Sequence, residues 1–262
     1  MFQSLFAFRK PIPRRLQTGL GAFGFILFLG AWHMTAISGM IRPEFLPTPF
    51  AVLEAFGRLF TEQDFASDIV ISVTRVWVAF LLSVVIAVPL GLYMSTYRAV
   101  GAILEPFIDF IRYLPVPALV PLLVIWFGVG EASKIAVLWM GTFFQLILLI
   151  ADDTKRVPPE YIESGQTLGA TNSEIMRHII IPAALPNIVD NLRITLGWCW
   201  TYLIVAEIVA ASSGIGHVIW SLRRFVKTPE VMAGIIAIGI IGLLTDQALR
   251  FAHARLFSYQ RR

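Results

Sequence analysis

The chain has 262 residues, 57% of them hydrophobic and only 15% charged, with a mean hydropathy of +0.74 and a formal net charge of +4. Soluble domains run at roughly 45–50% apolar and about 25% charged, so this composition excludes an ordinary soluble globule and points to a polytopic membrane protein. The basic residues lie between and beside apolar runs, which reads as membrane topology and not as a nucleic-acid surface, and the lone Cys199 excludes a disulfide framework within one chain.

Residues 1–17 form a basic tail that opens "MFQSLFAFRKPIPRR". A first span follows at 18–40, "TGLGAFGFILFLGAWHMTAISGM". It lacks a small-residue cleavage pattern and reads as a retained helix. Segment 44–65 contains "LPTPFAVLEAFGRLF", whose Pro-Thr-Pro entry and helical apolar spacing predict a short interfacial helix outside the membrane. A spanning helix needs about 20 mostly apolar residues. Five further runs meet that, at 69–96, 102–127, 134–151, 188–211 and 231–250. The third span is broken by Pro106, Pro115, Pro117 and Pro121.

Placing the N-terminus in the cytoplasm puts Arg9, Lys10, Arg14, Arg15, Arg98, Lys155, Arg156, Arg177, Arg250, Arg255, Arg261 and Arg262 inside. Arg42, Arg58, Lys134, Arg223, Arg224 and Lys227 fall outside. The bias of twelve to six predicts six spans with both termini cytoplasmic. The long polar stretch between the fourth and fifth spans then faces the cytoplasm. The core runs over 66–250, including that loop at 152–186, and 251–262 is a cytoplasmic tail.

Charges inside spans are costly and mark candidate functional groups. The third span holds Glu105, Asp109 and Arg112, and the fifth holds Asp190, Arg193 and Glu207. Arg75 stands in the second and Asp246 in the sixth. Asp109–Arg112 and Asp190–Arg193 have i, i+3 spacing, so mutual neutralisation or interface placement accounts for them as well as function does. Glu207 has no sequence neighbour and is a candidate for locking packing or lining a path. Arg75 and Arg112 are candidates to meet an anionic solute. Helix breaks at membrane depth are tolerated where protein or a water-filled cavity satisfies the backbone, which puts the third span and Pro115 near a path.

The polar stretch "RVPPEYIESGQTLGATNSEIMRHIIIPAALPN" reads as two short helices and a turn. Pro158 and Pro159 suit a first turn, and Glu160 and Glu163 favour its dipole. Gly169 ends that helix if it takes positive φ. Thr171-x-x-Glu174 has capping-box spacing and starts a second helix over about 172–181. Pro182 and Pro186 are expected to separate it from the fifth span. Such a unit is either a well-capped re-entry loop or a compact knob presented to a partner.

The same stretch resembles the "EAA" loop of permease subunits of bacterial ABC importers. The pattern is E-A-A, three residues, G, nine residues, I-x-L-P. Here Glu163-Ser164-Gly165, Gly169 and Ile179-Ile180-Ile181-Pro182 hold those places, with departures at Ser164, Gly165 and Ile181. "LPTPFAVLEAF", "VPLGLYM", "RYLPVPALVPLLVIWFGVGEASKI", "AEIVAASSGIGHVI" and "AGIIAIGIIGLLTDQALR" are similar to the permeases for taurine, alkanesulfonates, nitrate and bicarbonate. Together the likeness covers about residues 45–250.

The resemblance implies an all-α type I importer permease fold in the bacterial inner membrane. It implies a homodimer, two ATP-binding subunits that carry ATP and Mg, and an external solute-binding protein. Glu163, Ser164, Gly165, Gly169, Ala170, Thr171, Glu174, Ile179 and Pro182 would form the ATPase-coupling element. Arg75, Arg112, Pro115 and Glu207 are the candidates for the solute path. Ser212, Ser213, Gly214 and Gly216 look like a short dipping element below the binding protein. The chain has no G-x-x-x-x-G-K-[ST] phosphate loop and no catalytic constellation, so neither a bound cofactor nor catalysis is expected of it. His33, His178, His217 and His253 show no metal-ligand spacing. The alternative is an ion-driven carrier or channel without an ATPase.

Overall fold

A computed structural model of the chain describes residues 12–257. Of the basic residues counted for topology, Arg9, Lys10, Arg261 and Arg262 lie outside the described residues. All regular structure among the described residues is helical. Helix α1 (Arg14–Ile37) is apolar around its girth and largely exposed, the pattern of a helix whose solvent is lipid. The Trp32 indole N–H ties it to the Pro47 carbonyl at 2.9 Å. Helix α2 (Pro49–Glu62) starts on Thr48, whose Oγ1 accepts from the Ala51 N–H, with Pro49 in the first turn. It buries Val52, Ala55 and Leu59 on one face.

Helices α3 (Phe65–Thr96) and α6 (Glu131–Lys155) share the most extensive interhelical packing. Gly91 is a point of close approach between them. A Cβ there would lie 2.8 Å from the Ile147 carbonyl oxygen and 2.8 Å from the Ile150 Cβ, both anchored near backbone. Gly91→Ala is therefore expected to destabilise by about 1–3 kcal/mol through overpacking, although alanine favours a helix by about 1 kcal/mol. Gly24→Ala in α1, which meets nothing within 4 Å, should be neutral or stabilising. Unfolding in mixed detergent micelles checks the contrast.

The break expected in the third span is found, and one expectation, about Pro182 and Pro186, is corrected. The third span is two helices, α4 (Arg98–Arg112) and α5 (Val116–Phe127), with 102° between their axes. Pro115 disfavours helix at the preceding Leu114 and itself stands extended as the N-cap of α5, with Pro117 in that helix's first turn. Among the described residues five helices are long and apolar enough to cross a membrane, and the bent pair makes a sixth if it counts as one.

Pro182 and Pro186 do not separate the hairpin from the fifth span. Helix α8 (Asn172–Ile175) passes through a π turn (Met176–Ile180) into α9 (Ile181–Ala210). Pro182 withholds an N–H from this continuous helix, and the π turn, in which the Ile181 N–H reaches the Met176 carbonyl, is where the ladder shifts to accommodate it. Pro186 lies inside the helix. The chain ends in α10 (Ile215–Arg223) and α11 (Thr228–Leu256), with the short α7 (Pro159–Thr167) ahead of α8.

The apolar core has two parts. One joins α2, the start of α3, α5, the start of α6, the end of α9, α10 and α11. The other joins Ala87 to Met94 of α3, Phe143 to Ala151 of α6, Ile108, and Ile175, Met176, Ile180, Ala184 and Ile188. The inner face of the hairpin is thus part of the second core.

Candidate functional site

Three features carry chemistry. The first is the hairpin at 158–182. Helix α7 ends in a Schellman motif: the Ala170 N–H bonds the Gly165 carbonyl at 3.0 Å, and the Gly169 N–H bonds the Gln166 carbonyl at 2.9 Å. Gly169 has φ +80°, the left-handed backbone that this motif favours. Two residues on, the capping box is complete. The Thr171 N–H donates to Glu174 Oε2 at 2.8 Å, and the Glu174 N–H donates back to Thr171 Oγ1 at 3.4 Å. Ser164 Oγ and Thr167 Oγ1 bond the carbonyls of Glu160 and Glu163, one turn back.

Gly165 is the buried residue of α7. A Cβ on it would lie 2.6 Å from Ile179 Cδ1, so the missing side chain lets α7 seat on the π turn. Ala170 and Ile179 are half-buried, while Glu163, Ser164, Gly169, Thr171, Glu174 and Pro182 are exposed. An open cleft of about 510 Å³ lies between α7 and the start of α9, lined by Tyr161, Ser164, Leu168, His178 and Pro182 among others. Leu168, 87% exposed, and Tyr161 give this polar hairpin an apolar crown. Sequence reasoning passed over both; the signal was a large apolar residue directly before the helix-ending glycine.

At the opposite end of α9 lies a buried ion cluster. Arg75 of α3 is 1% exposed and Glu207 of α9 is fully buried. Arg75 Nη1 donates to Glu207 Oε1 at 2.7 Å and to the Ser213 carbonyl at 2.8 Å. Its Nε and Nη2 grip Glu131 at 2.6 and 2.7 Å, and Nη2 also reaches Ser213 Oγ at 3.1 Å. All five guanidinium hydrogens are thereby used. Glu207 also accepts from Ser72 Oγ and from the Gly216 N–H, each at 2.7 Å. Ser72 Oγ takes the Ile215 N–H, and Asp68 Oδ1 takes the Gly214 N–H. Gly214 has φ +103°, and a Cβ there would run into the Arg75 and Glu207 side chains. The cluster is a clasp that holds loop 211–214 and the start of α10 onto α3 and α6.

The clasp recruits Asp68, Ser72, Glu131 and Lys134, none of which the sequence marked as a functional candidate, Lys134 having counted only as an outside basic residue. Asp68, Ser72 and Arg75 are spaced i, i+4, i+7, one polar stripe on an otherwise apolar helix, and that stripe was the available signal.

The third feature is a cleft of about 460 Å³ at the break between α4 and α5. Arg112 and Pro115 line it; Arg75 and Glu207 do not. Facing them are Gly141, Phe144 and Gln145 of α6 and Trp198 and Tyr202 of α9. The structure therefore divides the four path candidates into two at a cleft and two inside a closed clasp. Among the described residues, no three His, Cys, Asp or Glu groups come together as a metal would need.

Residues 79–258 match the family described as the inner membrane component of binding-protein-dependent transport systems. The chain is 35% identical over 253 residues to the taurine transport system permease protein TauC of Escherichia coli (strain K12), covering 95% of this chain and 91% of that one. It is 29% identical over 252 residues to the putative aliphatic sulfonates transport permease protein SsuC of Bacillus subtilis (strain 168), covering 96% and 91%. Among solved structures, the inward-facing MetNI methionine ABC transporter superposes with a TM-score of 0.59 at 20% identity, covering 73% of this chain and 94% of that one.

Proposed function

Because the chain belongs to the family of inner membrane components of binding-protein-dependent transport systems, we propose that it is the membrane-spanning subunit of an ATP-driven importer for a small anionic solute of the sulfonate or bicarbonate kind. Two copies form the pathway, two separate ATP-binding subunits dock below, and a solute-binding protein docks outside. Both termini and the 158–182 hairpin face the cytoplasm. ATP and Mg belong to the partner subunits.

The hairpin is the observation that carries this reading. It is capped at both of its inner ends, rooted through Gly165 and Ile179 in the second core, and crowned by exposed Leu168 and Tyr161. A channel or an ion-driven carrier has no use for a rigid apolar-tipped unit at that end. The names of the relatives, which specify taurine and aliphatic sulfonates, support the anionic solute.

Copurification with the cognate ATP-binding subunit is expected to yield a complex of two copies of each. In vesicles supplied with the binding protein, that complex should take up solute only when ATP is hydrolysed. A transport-active monomer, or uptake indifferent to ATP, overturns the importer and favours the channel or carrier.

A further inference from the structure

We propose that the cleft at the α4–α5 break is a solute-contact site in the permease itself, built for a small anion that carries a short apolar body. The inference rests on the importer reading and adds to it a site on this chain. Arg112 supplies the cation. Its Nε is held by Asp109 at 3.0 Å and its Nη2 by the Tyr113 hydroxyl at 3.2 Å, while Nη1 has no protein partner among the described residues. Gln145, Trp198 and Tyr202 line the same cleft, and their side-chain polar groups make no hydrogen bond to the described residues. Side chains from α4, α6 and α9 with unspent hydrogen bonds thus line one space, which is what an oxyanion giving up part of its water requires.

The walls suit the rest of such a solute. Tyr202 lies flat on the backbone at Gly141, where a Cβ would stand 2.5 Å from its ring. Met140, Phe144 and Pro115 complete an apolar and aromatic lining against which a short apolar body can pack. A pathway site must also release what it binds. Asp109 serves that end by offsetting part of the guanidinium charge, so the site attracts an anion without trapping it. Arg75 is the rival cation, and it is unsuitable: it is buried and every hydrogen it has is already bonded.

The test uses the full permease–ATPase complex in vesicles with its binding protein, and taurine, ethanesulfonate and bicarbonate as probes. Arg112→Gln is expected to lower the amount of probe carried per ATP hydrolysed by about tenfold, the usual loss when a charged hydrogen bond is removed. Arg112→Lys should recover part of it. Gln145→Leu and Tyr202→Phe should change the ratio of taurine to ethanesulfonate uptake. A purely structural role would lower uptake and hydrolysis together and leave probe per ATP unchanged. That result, or four variants indistinguishable from the parent, overturns the site while the importer stands. A parent complex that carries none of the probes in an ATP-dependent way brings down the importer reading and this proposal with it.

Discussion

Arg75→Met is expected to destabilise the chain by about 3–5 kcal/mol, the cost of stranding one partner of a buried ion pair. The stranded group is Glu207, which is fully buried and keeps only Ser72 and the Gly216 N–H. Glu131 matters less, because its side chain is 56% exposed and Lys134 still pairs with it at 2.8 Å. Glu207→Gln should cost less, since Arg75 retains Glu131 and Ser213. Removing both charges in Arg75→Met with Glu207→Met should be milder than the sum of the single changes, because neither charge is then left alone. Equilibrium unfolding in mixed detergent micelles measures these three variants and the single Glu207→Met that completes the cycle. Additive losses, or a single Arg75→Met loss below about 1 kcal/mol, would show that the clasp does not bind its members as a unit.

Gly169→Val and Glu163→Lys should abolish coupled transport while leaving the membrane bundle assembled. At φ +80° a β-branched residue is strained by about 1–3 kcal/mol, enough to shift the hairpin population by roughly fivefold to a hundredfold. Nothing lies within 4 Å of a Cβ at Gly169, so the new side chain meets no atom of this chain and projects toward whatever docks there. Glu163 is exposed, and its reversal changes the charge offered to a partner without disturbing the fold. Ser173→Ala, also on the exposed side, should leave uptake unaffected. Solute-stimulated ATP hydrolysis and uptake in reconstituted vesicles decide the matter. Normal values in both Gly169→Val and Glu163→Lys would falsify the coupling role.

The hairpin could be read in the sequence because its determinants are local. A capping box spans four residues and a Schellman motif six, so Thr171, Glu174 and Gly169 declare themselves without a fold around them. The long spans declare themselves through hydropathy for the same reason. Proline misled at 182 and 186, because a local rule against helix interiors was overridden by a π turn and by the burial of Ile180, Ala184 and Ile188. The 102° bend between α4 and α5 is a tertiary angle, and four prolines announce a break without saying how far it turns. The partners of Glu207 were hidden by distance along the chain: Arg75 is 132 residues away and Ser72 is 135. Glu131 and Lys134 were passed over as loop and span edge, yet α6 begins at Glu131 and brings both to the clasp.

The uninterrupted run from α8 through α9 has a mechanical corollary. At about 1.5 Å per residue, some 48 Å of rod separate Ile175 from Glu207. A tilt of about 5° pivoting at the hairpin would sweep Glu207 sideways by about 4 Å, farther than any hydrogen bond stretches. Yet Glu207 is riveted to Arg75 and Ser72 of α3, and through Arg75 to Glu131 of α6. Bending alone therefore cannot reach the far face with the rivets intact. Either three helices swing as one slab, or the joint at Glu207 shears and frees the loop above it.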